Sequence, residues 1–158
     1  MKKFEFTGET KTISLFFRTA TLHRIRAVAE FGLVKVGDLG GWIEKEENLS
    51  HEGKAWVCGN AEVWGNAEVC GNAEVFSARH VLVIGAMGSR DDFTTFFRDK
   101  DNEITVKCGC FLGKIDKFLE KVTQTHGDSK YALVYRAAVE VARLQIDLSG
   151  EAPKDADE

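Results

Sequence analysis

The sequence predicts an α+β protein built on a short left-handed parallel β-helix of hexapeptide repeats. An N-terminal hairpin and helix precede the repeats, and a C-terminal lobe of a hairpin plus two helices follows them. Three observations predict this. Between Ala55 and Val81 the motif A-E-V-x-G-N returns every six residues. Downstream, LGKIDKFLEKVTQTHG and SKYALVYRAAVEVARLQIDL carry apolar residues at helical spacing. Upstream, FEFTGET and TISLFFR bracket Gly8 with aromatic and β-branched residues, as a β-hairpin does.

The N-terminal unit, residues 1–36, starts with that hairpin. TLHRIRAVAEF then places Leu22, Ile25 and Val28 or Ala29 at helical spacing, with Thr21 as N-cap and Gly32 just past the end, which predicts a short helix. Arg18, His23, Arg24 and Arg26 make this the most basic corner of the chain, and charge runs of this kind ordinarily form a solvated face.

Residues 37–84 form the β-solenoid unit. Gly37, Gly40 and Gly41 allow tight turns beside Leu39, Trp42 and Ile43. Ile43 and Leu49 are six apart, and after a two-residue insertion Val57, Val63, Val69, Val75 and Val81 keep that spacing. A small residue follows four positions after the valine, as in Val63 with Ala67 and Val69 with Ala73. This period fits neither a helix nor a simple alternating strand. It fits a triangular prism in which each hexapeptide is one side, the aliphatic residue points inward and the Gly-Asn pairs supply the corners. Val57 is then expected to stack on Val75 at a strand spacing of about 4.8 Å. Glu62, Glu68 and Glu74 face outward as solubilising groups. Trp64, Cys70 and Phe76 also face outward, which predicts burial against another lobe or subunit and hence a homo-oligomer.

Residues 85–148 form the C-terminal lobe: a glycine loop, strand FTTFFR, turn DKDNE and strand ITVKCGCF, then the helices. The first helix aligns Ile115, Phe118, Leu119 and Val122, and the second aligns Tyr131, Val134, Tyr135, Ala138 and Ala142, with Asp128 or Ser129 as its cap. The tail 149–158 is acidic, holds the sole proline, Pro153, and reads as disordered.

Composition narrows the function. A net charge of -4 and a pI of about 5.6 exclude a global basic field, so no nonspecific duplex DNA binding is expected. No apolar run approaches the roughly 20 residues of a membrane span, so no membrane partner is expected either. MKKFEFTGETK lacks the apolar core of a signal peptide, and the four cysteines therefore read as reduced thiols of a cytoplasmic protein.

GAMGSRDDFTT, residues 85–95, is the leading candidate site. Its glycines expose backbone N–H groups, Ser89, Thr94 and Thr95 add hydroxyls, and Arg90 can fork onto a phosphate. The alternative is a glycine turn with Arg90 paired to Asp91 or Asp92. HGDSKY brings Lys130 and Tyr131 to a helix N-terminus, where an anion or simply a cap fits. Arg98 and Arg18 complete the donors. Cys108 and Cys110 in CGCF lack the second pair that a zinc site needs, so no metal is expected. They read as small thiols beside Gly109, or as a thiolate near His126. His51 and His80 are candidate bases with no orienting carboxylate at fixed spacing.

GDLGGWIE, the GSR-x3-TTFFR segment, CGCF and HGDSKY resemble a family of small phage and prophage proteins. Its members share a basic N-terminal hairpin, a variable number of hexapeptide-type repeats and this C-terminal lobe. The resemblance covers nearly the whole chain and brings no catalytic residues and no cofactor. It implies a non-enzymatic counter-defence protein, acting in the host cytoplasm by sequestering a nucleotide-type anionic signal or by blocking a host defence protein. Through the hexapeptide pattern alone, the chain is similar to left-handed β-helix acyltransferases. Its prism of roughly 10 to 15 Å is short for their acyl-carrier groove. A structural phage protein is the third expectation.

Overall fold

The computed structural model describes residues 1–149, so the tail predicted to be disordered lies, from residue 150 onward, outside the described residues. Two antiparallel sheets dominate. In the first, β1 (Phe4–Ser14) pairs with β2 (Thr19–Ala27) and β2 with β3 (Leu39–Ile43). In the second, β7 (Val81–Met87), β8 (Asp92–Arg98), β9 (Ile104–Cys108) and β10 (Phe111–Lys114) form an antiparallel meander.

The fold is therefore mixed α+β, and the left-handed parallel β-helix expected from the repeat is corrected. Parallel pairing is confined to short contacts of the repeat segment: β3 with β5 (Glu62–Val63), β4 (Trp56–Val57) with β6 (Glu74–Val75), and a bridge between Leu49 and Val69. Each repeat strand is two residues long, and β4 and β6 pair only with each other as a two-stranded sheet. β5 is instead the fourth strand of the N-terminal sheet. Val57 does pair with Val75, and Ile43, Leu49, Val57, Val63, Val69 and Val75 form a core with 0–2% exposure.

The helix expected over TLHRIRAVAEF is strand β2. Hydrogen-bonding partners on both edges, β1 and β3, favour the extended chain there. Register shifts place extra residues on both partners, between Phe6 and Thr10 of β1 and opposite Arg24 to Arg26 on β3. Leu22 and Ile25 are both buried although three residues apart, Ile25 within the core of the repeat valines, and this spacing imitates a helix.

β8 joins two cores. Phe96 packs with Val106 and the helices α1 (Ile115–His126) and α2 (Lys130–Gln145), whereas Phe97 packs with the repeat valines. The alternation of side chains across a strand sends these neighbours to opposite faces. On α1 the expected Ile115, Phe118 and Val122 are buried. On α2 the buried set is Ala132, Tyr135, Ala138, Val139 and Ala142, so Tyr131 and Val134 lie on the outer side instead.

The glutamates of the repeat do more than solubilise. Glu62 pairs with Lys11 at 2.6 Å, Glu68 with Lys107 at 3.4 Å and Glu74 with Arg98 at 4.0 Å, so each ties the repeat segment to a flanking sheet. Phe76 lies under the Arg98 guanidinium and Cys70 is half-buried, while Trp64 stays exposed. Among the described residues no helix is long and apolar enough to cross a membrane.

Candidate functional site

The turn between β7 and β8 abuts the helices. Gly88 adopts φ +77°, and the Tyr135 hydroxyl fills the space a Cβ would need there, so only glycine fits without displacement. The Tyr135 side chain thus packs against this turn, and burial raises its pKa above the usual phenol value. Ser89 and Arg90 are thereby held at the mouth of a cleft of about 360 Å³.

The cleft has an aromatic floor. Phe111 and Phe118 lie 5.5 Å apart, Phe118 meets Tyr135 edge-on at 5.8 Å, and His126 stacks on Tyr135 at 5.6 Å with 25° between the rings. Its rim carries Arg90 and Lys121, with Asp92 the one carboxylate in the lining. Cys108 and Cys110 reach the same space from either side of Gly109, which turns at φ +56°. Both thiols are free, and Cys108 Sγ accepts a hydrogen bond from Thr94 Oγ1 at 3.3 Å.

Of the residues expected to bind an anion, Ser89 and Arg90 line this cleft. Thr94 is 1% exposed and supports Cys108 from beneath. Thr95 faces the other way, where its hydroxyl accepts from the Glu68 backbone N–H at 3.0 Å. Arg98 is buried against the repeat segment, donating through Nε to the Glu74 carbonyl at 3.0 Å. Lys130 and Tyr131 sit together at the start of α2, with the ammonium 5.5 Å from the ring centroid, and line no part of the cleft. Arg90 forms no ion pair with Asp91 or Asp92 among the described residues. The basic corner is occupied internally: Arg18 forks onto Glu44 at 2.7 and 3.0 Å, and Arg26 meets Glu5 at 2.5 Å.

Lys121 escaped sequence reasoning because it reads as one more solvated lysine. The signal lay in its helical phase: Phe118, Lys121, Val122 and Thr125 follow i, i+3, i+4, i+7 and share one face, the one that lines the cleft. His126, at i+8, ends the same helix.

The two candidate bases of the repeat segment are committed to structure. His51 Nδ1 accepts from the Lys3 backbone N–H at 3.0 Å while its ring stacks on Phe4, and His80 Nδ1 accepts from the Phe76 N–H at 3.1 Å. An Nδ1 that accepts leaves the neutral ring's proton on Nε2, so neither imidazole has a lone pair free to take a proton. Burial lowers both pKa values below the ordinary histidine range. Among the described residues no group of three or more His, Cys, Asp or Glu side chains is placed to hold a metal ion.

No protein-family model matches this chain, and no curated protein does.

Proposed function

We propose that this protein is a non-enzymatic binding protein that sequesters a nucleotide-type anion in the cleft beneath Ser89 and Arg90. One observation carries the proposal: the aromatic side chains Phe111, Phe118, His126 and Tyr135 line the same cleft as two cationic groups, Arg90 and Lys121. A planar base packs against aromatic side chains edge-on or stacked, and a phosphate is met by a guanidinium that donates two parallel hydrogen bonds. Ser89 and the backbone of its turn add neutral donors. The resemblance to phage and prophage proteins supplies the setting, a counter-defence role in the host cytoplasm, exercised by a homo-oligomer that holds the signal without turning it over.

Isothermal titration calorimetry against linear and cyclic adenine and guanine nucleotides tests this. A nucleotide of the panel binds stoichiometrically and is recovered unchanged after heat denaturation. Each charge-assisted hydrogen bond is worth about 1.5–3 kcal/mol, so Arg90→Ala or Lys121→Ala weakens binding by roughly 10- to 100-fold. A panel without a binder, or affinity unmoved by both substitutions, overturns the proposal.

A further inference from the structure

The hairpin turn beside the cleft holds two thiols that the proposed function leaves unused. Cys108 pairs with Phe111 across β9 and β10, so Gly109 and Cys110 are the two residues of the loop. Gly109 turns at φ +56° while Cys110 keeps a negative φ, the pattern of a tight two-residue hairpin with glycine first. Residues two apart are separated by at most about 7 Å even in an extended chain, and a turn draws them closer, into the roughly 4.4–6.8 Å that a disulfide spans between Cα atoms. Both cysteines line the same cleft, as a bridge between them requires.

The four free thiols are not equivalent. Cys110 is exposed, whereas Cys108 is half-buried and its Sγ is held by the Thr94 hydroxyl at 3.3 Å. Cys58 is buried in the valine core, and burial raises the half-buried Cys70 thiol above its usual range. Around the CGC turn positive charge prevails: Arg90 and Lys121 line the cleft with Asp92 as the one carboxylate, and the Lys107 ammonium donates to the Gly109 carbonyl between the two cysteines. Cysteines that exchange with disulfides sit in such electropositive, partly exposed settings, often next to a second cysteine that resolves the adduct.

We infer that Cys110 and Cys108 form a dithiol that exchanges with small anionic disulfides of the oxidised glutathione class. The Cys110 thiolate attacks one sulfur of R–S–S–R, forming a mixed disulfide and expelling R–S⁻. The Cys108 thiolate then attacks the Cys110 sulfur, closing the bridge between the two cysteines and expelling the second R–S⁻. The two thiol protons pass to the expelled thiolates; the protein loses two electrons and the small disulfide gains them. The cations that would meet a phosphate also meet the carboxylates of such a disulfide. Mixed disulfide and nucleotide therefore exclude each other, a consequence that rests on the proposed function, whereas the exchange itself does not.

Mass spectrometry of the full chain after incubation with oxidised glutathione is the test. Trypsin releases residues 108–114 as one peptide carrying both thiols. In wild type this peptide loses two hydrogens; in Cys108→Ser it carries glutathione on Cys110; in Cys110→Ser it acquires neither mark over the same interval, and Cys58 and Cys70 remain thiols throughout. Arg90→Ala/Lys121→Ala slows the reaction roughly tenfold at low ionic strength and leaves that with uncharged hydroxyethyl disulfide unchanged. An unbridged wild type, an adduct on Cys70 as fast as on Cys110, or a double variant as fast as wild type overturns the inference. A nucleotide that calorimetry finds to bind should slow the exchange. Exchange that proceeds with no nucleotide binder found sinks the ligand reading alone, and a binder found without exchange sinks the dithiol alone.

Discussion

Arg98 tests whether a buried charge here binds ligand or holds the repeat segment in place. Its side chain is 3% exposed, with Nε donating to the Glu74 carbonyl, the Glu74 carboxylate 4.0 Å from Nη2 and the Phe76 ring 4.9 Å away. Nη2 finds no hydrogen-bond partner among the described residues, and burial lowers the guanidinium pKa. Removing one member of a fully buried ion pair costs about 3–5 kcal/mol because the other charge is stranded. Glu74 is about one-third exposed and its contact is long, so Glu74→Ala is expected to cost less, about 1–2 kcal/mol. Arg98→Met acts differently. It forfeits one charge-assisted hydrogen bond of about 1.5–3 kcal/mol but removes a desolvation penalty of several kcal/mol, and its thioether packs on Phe76. The expected outcome is a variant within about 1 kcal/mol of wild type and more stable than Glu74→Ala. Urea unfolding followed by tryptophan fluorescence measures both, with equal m-values required for the comparison. Nucleotide affinity is unchanged in Arg98→Met, since Arg98 lies outside the cleft. A methionine variant less stable than Glu74→Ala, or one that loses the ligand, refutes the reasoning.

Burial lowers Lys3 to about 8 from its ordinary 10.5. Between these values the unfolded chain binds more protons, so stability rises as pH climbs from about 8 to 10.5, by an amount on the order of 1–2 kcal/mol after solvent screening. Unfolding free energies of wild type minus Lys3→Met across that range should show the rise. The lowered histidines act at the acid end: below about 6.5 the unfolded chain takes up protons first, and stability falls as pH drops toward the folded pKa values. His80→Asn keeps an acceptor for the Phe76 N–H, so its chemical denaturation midpoint should fall less between pH 7 and 5 than that of wild type. Gly88→Ala forces a side chain into positive φ and against Tyr135. It is expected to cost at least about 1–2 kcal/mol by thermal unfolding, whereas Gly65→Ala, which has the strained φ but open space, costs about 1 kcal/mol. Bound nucleotide should protect Cys108 and Cys110 from alkylation and leave the slow reaction of buried Cys58 unchanged, which mass spectrometry of labelled peptides reads directly.

The inward valines were legible because one residue in six must be aliphatic for a core of that period to close, and Val57 above Val75 follows from the arithmetic of three hexapeptides. The architecture around them was not legible. A two-residue strand such as Glu62–Val63 carries no preference for its partner, and whether it stacks on another repeat or extends the sheet of β1–β3 is decided by what Trp42 and Ile43 offer across from it. Strand β2 imitates a helix for a related reason: Leu22 and Ile25 are both buried by packing partners that the local spacing does not name. At the site, the turn glycines identified Ser89 and Arg90. Lys121 and Tyr135, about 30 and 45 residues downstream, reach the cleft only through the packing of α1 and α2.

The repeat segment acts as a clasp between two antiparallel sheets, and this separates stability from binding. Its valines fill the interior, Lys11, Lys107 and Arg98 of the flanking strands meet Glu62, Glu68 and Glu74, and the Lys100 N–H donates to the Asn72 carbonyl at 2.9 Å. Two of the residues the sequence nominates for an anion, Thr95 and Arg98, are part of this clasp: Thr95 shares the Phe97 face of β8 and accepts from the Glu68 N–H, and Arg98, the last residue of the strand, reaches the Glu74 carbonyl. The opposite face, which carries Phe96, packs against the helices beside the cleft. A strand whose alternate residues answer to two neighbours constrains both. Substitutions on the clasp face should therefore move the unfolding transition and spare affinity, and substitutions at Ser89, Arg90 or Lys121 should do the reverse.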